Sequence, residues 1–128
     1  MKVFSNSNYN ADFIFDELMT GSGVVVIEDV YHMNVIHSAK EIINNLADTQ
    51  GQKESHFNAE AEAKGKINLQ QRVWNLFGKD PIFSKIISHD IIFELMSNFL
   101  GTEFACGSYC ASRLLPGSPG QELHIDYP

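Results

Sequence analysis

Basic residues are scarce in this chain. Nine Lys and Arg stand against sixteen Asp and Glu, a net charge of −7 over 128 residues. A phosphate backbone is gripped by clustered Lys and Arg, so this balance argues against nucleic acid as a partner and disfavours an anionic membrane surface. No apolar run approaches the ~20 residues needed to cross a bilayer. The N-terminus, Met1-Lys2-Val3-Phe4-Ser5-Asn6-Ser7-Asn8, turns polar too early for a secretory signal. Cysteine is almost absent, with only Cys106 and Cys110. Read as one strand, at ~3.3 Å per residue, their Cα atoms lie ~13 Å apart, too far for a disulfide. No second ligand pair with finger-like spacing follows them, so a zinc site is not expected. Two thiols without a secretion signal fit a reducing cytoplasm. There are no internal repeats.

What the chain does have is enough apolar residue for a core. Hydrophobic residues make up 44% and charged ones 20%, a globular balance, and the length fits a single domain spanning 1–128. Asn10 is placed to cap a helix running to Met19, with Phe13, Ile14 and Leu18 inward. Gly21-Ser22-Gly23 ends it. Val24 to Ile27 is a β-branched run that predicts a buried strand. Val35, Ile36, Ala39, Ile42, Ile43 and Leu46 repeat at helical spacing opposite Lys40, Glu41, Asn44 and Asn45. From Asp48 to Lys66 the sequence is polar and reads as a loop. Helical character is expected again from Leu69 to Phe77. Asp80-Pro81 is a cap followed by proline at the first helical position. His89-Asp90 opens a further helix with Ile91, Ile92, Leu95, Met96, Phe99 and Leu100 as its stripe, stopped by Gly101. Phe104 to Leu115 reads as a strand, Pro116 to Gly120 as a turn, and Leu123 to Tyr127 as the start of another strand. Trp74, Phe77 and Phe83 are expected in the core. The fold class is therefore α+β, with 1–101 mainly helical around one early strand and 102–128 extended.

The chemistry-bearing motif is His124-Ile125-Asp126. In a strand, residues two apart share a face. An imidazole and a carboxylate would then face one point, forming two legs of the two-histidine, one-carboxylate set that holds non-haem iron(II). Alone the motif is weak, because a surface strand with two polar residues has the same spelling. Its surroundings add to it. Phe99-Leu100-Gly101, Gly107-Ser108-Tyr109, Pro116-Gly117, Gln121 and Leu123 to Pro128 form one part of a wider pattern. Gly23 to Ile27, Arg72 to Leu76, Pro81, Phe83 and His89 form the other. Together they resemble the phytanoyl-CoA dioxygenase family over nearly the whole chain.

That resemblance implies N-terminal helices packed on an incomplete double-stranded β-helix, a cupin-like jelly roll. It implies an enzyme using Fe(II) and 2-oxoglutarate to hydroxylate a small organic molecule. His124 and Asp126 are the expected metal ligands, with Gln121 a candidate to help hold the cosubstrate. In the family a second histidine ligand and a cosubstrate-binding arginine come later than the His-x-Asp pair. His32, His37, His56 and His89 all precede it and match neither position. The chain therefore reads as an N-terminal portion that is inactive by itself, with a naturally short relative as the other possibility. The retained carboxylate favours hydroxylation over halogenation. Lys66 and Arg72 are candidates to meet an acidic substrate but read more simply as solvated charges. Arg113 is open between pocket and surface. The alternative function is a non-catalytic α+β binding or assembly module, and in either case a homodimer is expected to cover the exposed strand edges.

Overall fold

A computed structural model describes residues 1–50, 63–64, 69–118 and 123–125. Its described elements mix helix and strand, as the α+β expectation requires. In chain order they are β1 (Lys2–Ser5), α1 (Ala11–Thr20), β2 (Val25–Glu28), α2 (Met33–Gln50), β3 (Gln70–Val73), a 3-10 turn (Leu76–Gly78), α3 (Pro81–Ile87), α4 (Asp90–Leu100) and β4 (Ala111–Leu114). Strands pair in twos: β1 with β2 in parallel, β3 with β4 antiparallel. No jelly roll is formed by the described residues. The chain divides into two compact units, one made of Met1–Ala39 with Phe77–Gly107, the other of Lys40–Leu76 with Ser108–Pro128.

Helix starts in the first unit are set by local chemistry. Asn10 Oδ1 accepts from Phe13 N–H at 3.0 Å, and Asp80 Oδ1 accepts from Ile82 N–H at 2.9 Å, with Pro81 directly after it. His89 Nδ1 accepts from Ile91 N–H at 3.4 Å. Each side chain satisfies one amide that the helix itself leaves orphaned. Gly101 ends α4 at φ 81°, a conformation glycine adopts without Cβ strain, and its N–H bonds to Ser97 O. Helix α1 packs on α4 through an edge-on contact of Phe15 with Phe99, and Tyr9 donates to Glu94 Oε2 at 2.7 Å. The core of this unit contains Ile14, Phe83 and Ile91, each at most 2% exposed.

Several expectations need correction. The predicted helix over 69–77 is strand β3 followed by the 3-10 turn. Gln70-Gln71-Arg72-Val73 gains its backbone partners from β4, paired Gln70 with Leu114 through Val73 with Ala111, and that long-range ladder overrides the local helical spelling. Asn75, at φ 56°, turns the chain out of the strand. The strand expected over 104–115 is only Ala111–Leu114, and residues 101–110 are irregular. Cys106 and Cys110 lie in that irregular stretch, so the strand spacing used for them does not apply; both are thiols. Strand β2 forms, but Val24 and Val26 are exposed, so the expected full burial is wrong. Phe13 is exposed, as are Trp74 and Phe77, whereas Phe83 is buried as expected. On α4, Met96, Phe99 and Leu100 of the predicted stripe are exposed and Ile91 is buried. Of the polar loop assigned to 48–66, residues 48–50 are instead the end of α2, which runs to Gln50; 51–62 and 65–66 lie outside the described residues.

Candidate functional site

The approach to the His-x-Asp motif is built by the second unit. After β4, Leu115 N–H donates to Leu69 O at 2.8 Å, extending the antiparallel pairing by one bond. Ser118 N–H then donates to Leu115 O at 3.0 Å, closing a turn at Pro116-Gly117 in which Gly117 sits at φ 84°. The composition-based turn is therefore present where its described residues allow it to be seen. His124 follows, exposed, between Leu123 and Ile125, which are 106% and 86% exposed. None of the three is in a strand. The expected strand over 123–127 is not formed at 123–125, for a simple physical reason. A strand needs a paired neighbour, and no described strand pairs with this segment. Asp126 and Gln121 lie outside the described residues, as do His56 and Lys66. Among the described residues, no group of three or more His, Cys, Asp and Glu side chains is arranged to hold a metal ion.

Arg113, left open by the sequence, is the organising residue of this unit. Its Nε donates to Gln71 Oε1 at 2.8 Å and its Nη2 to the same oxygen at 2.5 Å. Nη1 donates to Asn44 O and Asn44 Oδ1, each at 3.3 Å, and Nη2 also pairs with the Asp48 carboxylate. The planar guanidinium thus ties β4 to its neighbour β3 and to the C-terminal half of α2. Gln71 is 7% exposed and Gln70 8%, and Gln70 Nε2 donates to Ser112 Oγ at 3.3 Å. A buried amide is costly unless bonded, so these contacts explain how two glutamines sit inside a strand pair. Arg72, on the same strand, places its guanidinium 5.1 Å from the Trp74 ring centre, a cation–π contact. Neither arginine reads as a simple solvated charge.

In the first unit, a cleft of about 470 Å³ has Lys2, Asp16 and Glu17 among its lining. Glu17 Oε2 pairs with Lys2 Nζ at 2.8 Å. Its Oε1 accepts from Ser22 N–H at 3.1 Å and from Ser22 Oγ at 2.8 Å. The Lys2 bond first, then the Ser22 amide and hydroxyl, lower the Glu17 pKa to about 2. Both oxygens are already committed, so this carboxylate fastens β1 to α1 and is unsuited to proton transfer. Tyr9 is held above the ordinary phenol value, chiefly by its bond to Glu94 and then by burial.

Sequence reasoning missed the Arg113 cluster and the buried Gln70-Gln71 pair. Their only signal was an amide pair in a segment that also reads as helix. No helix of the described residues is long and apolar enough to cross a membrane. No family model matches the chain, and neither a curated protein nor a solved structure matches it.

Proposed function

We propose that this chain belongs to an Fe(II)/2-oxoglutarate-dependent oxygenase of the phytanoyl-CoA dioxygenase type, and contributes two of its three metal ligands, His124 and Asp126. The observation that carries the reading is the His124-Ile125-Asp126 triplet set after the Pro116-Gly117 turn. It is supported by the mixture of capped helices with short strands that precedes it. The donor chemistry fits iron(II): a neutral imidazole and a carboxylate suit a divalent ion that keeps other positions open. His124 is exposed. When bound, iron supplies dioxygen chemistry at the expense of a 2-oxo acid. The protein's own part is to fix two donors, with Gln121 near enough in sequence to help orient the cosubstrate. A third ligand and a carboxylate-binding arginine are required beyond these residues. The fold proposed for the complete site is a jelly roll of which β4 is an early strand.

Two ligands hold a hard divalent ion poorly. Anaerobic calorimetric titration of the chain with iron(II) or manganese(II) should give no affinity tighter than ~1 mM, a ΔG of about −4 kcal/mol. Micromolar affinity would mean that the ligands have been miscounted. A protein that carries this chain together with a third ligand and a carboxylate-binding arginine should convert 2-oxoglutarate and dioxygen to succinate and carbon dioxide, and His124→Ala should abolish it.

One observation favours a second reading, a non-catalytic assembly module. The parallel pair β1–β2 has only two described strands, yet parallel sheets ordinarily have both faces covered. Val3 and Val26, paired across it, are 55% and 37% exposed, and Val24, just before β2, is 52% exposed. A second copy of the chain covering this surface would make a homodimer, and light scattering showing a monomer at all concentrations would remove that reading.

A further inference from the structure

We propose that a second cleft in the first unit, lined by the start of α2 and by α3, is a binding site for a small organic carboxylate with a short apolar body. Its volume is about 380 Å³, at the small end of ligand sites. The lining includes His32, Asn34, Lys85 and His89, with Val35 and Ile82 as apolar wall. Among the described residues no Asp or Glu lines it, in a chain where acids outnumber Lys and Arg sixteen to nine. The cleft beside β1 and α1, by contrast, contains Asp16 and Glu17.

The polar groups are also assigned in a way that leaves donors for a ligand. His89 Nδ1 accepts from Ile91 N–H, so the proton of the neutral ring lies on Nε2. That ring is fixed in place. Tyr31 meets it edge-on at a centroid distance of 5.2 Å, and the Tyr31 hydroxyl donates to Ile86 O at 2.6 Å. His32 Nδ1 lies 3.0 Å from Asn34 Oδ1, an oxygen that only accepts, so Nδ1 is the donor there. The cleft therefore offers the His89 Nε2–H and the Lys85 ammonium to an anionic head. Val35 and Ile82 take an alkyl tail. A fixed imidazole donor and an ammonium beside apolar wall suit a carboxylate with a short alkyl tail. None of these residues belongs to the His124 motif, and the inference stands or falls separately from the oxygenase reading.

The test is an NMR titration of the full chain, following the ring signals of His32 and His89, with hexanoate, hexan-1-ol and hexylammonium as probes. Hexanoate should shift both rings to saturation. Hexan-1-ol and hexylammonium should each bind at least about tenfold more weakly, the discrimination expected for one charge-assisted hydrogen bond. Lys85→Met should weaken hexanoate by about tenfold on the same basis. His89→Asn keeps a capping oxygen for α4 while removing the ring donor, and it should also weaken binding. Equal response to the alcohol, shifts that never saturate, or unchanged binding in both variants would overturn the proposal.

Discussion

In the unit formed by Met1–Ala39 and Phe77–Gly107, helices start on side chains two or three residues from the amides they cap. In the unit formed by Lys40–Leu76 and Ser108–Pro128, one guanidinium bonds to partners 42, 65 and 69 residues away in sequence. In the first, local caps start the helices, and distant contacts such as Tyr9 with Glu94 and Phe15 with Phe99 close them over an apolar core. The second depends on a polar cluster that exists only after distant segments have met. Local caps are individually modest and independent, whereas the Arg113 cluster couples three elements. Removing it strips the buried Gln71 amide of its partner.

That contrast orders the expected effects. The largest belongs to the apolar core. Phe83 is 1% exposed, and Phe83→Ala should cost ~3–5 kcal/mol in urea unfolding through lost burial and a residual cavity. Next is Arg113→Met, expected to cost ~1.5–3 kcal/mol by stranding Gln71 and Asn44. Hydrogen exchange sharpens the comparison here. Protection should fall at Gln70–Val73 and stay unchanged in the first turn of α4. Equal loss in both would mean that the two units unfold as one. Arg113→Lys should not restore protection, because an ammonium cannot repeat the forked contacts. Asp80→Ala removes one cap and should cost about 1 kcal/mol, confined to α3.

The smallest effect is a pH dependence. Glu17 has its folded pKa lowered from 4.5 to about 2 by Lys2 and Ser22. A lowered carboxylate pKa means that its contribution is fully present above 4.5 and is lost as pH falls toward 2. Acid titration of wild type against Glu17→Gln checks this. The variant should lose the part of the slope between those pH values, and identical slopes would contradict the assignment.

The same contrast explains what could be read before folding. Asn10, Asp80-Pro81, His89 and Gly101 were legible because a cap acts within one turn, and each stands where the spelling put it. Strand β3 was not legible. Gln70-Gln71-Arg72-Val73 carries no alternation, and it is a strand because β4 pairs with it from 111–114. The exposed Phe13, Trp74 and Phe77 were misplaced because periodicity says which residues share a face and not whether that face is covered. For the site, a strand was expected over 123–127 and is not formed at 123–125, since the alternation of a short segment does not say whether another strand pairs with it.

The most direct test of the oxygenase reading is paramagnetic broadening by manganese(II) of assigned histidine and aspartate signals in the full chain. The account predicts that weak, millimolar-range addition broadens His124 and Asp126 first and together, with His32, His37 and His89 unaffected at the same metal concentration. Broadening that begins at another histidine, or that reaches His124 in the Asp126→Asn variant as readily as in wild type, would contradict it.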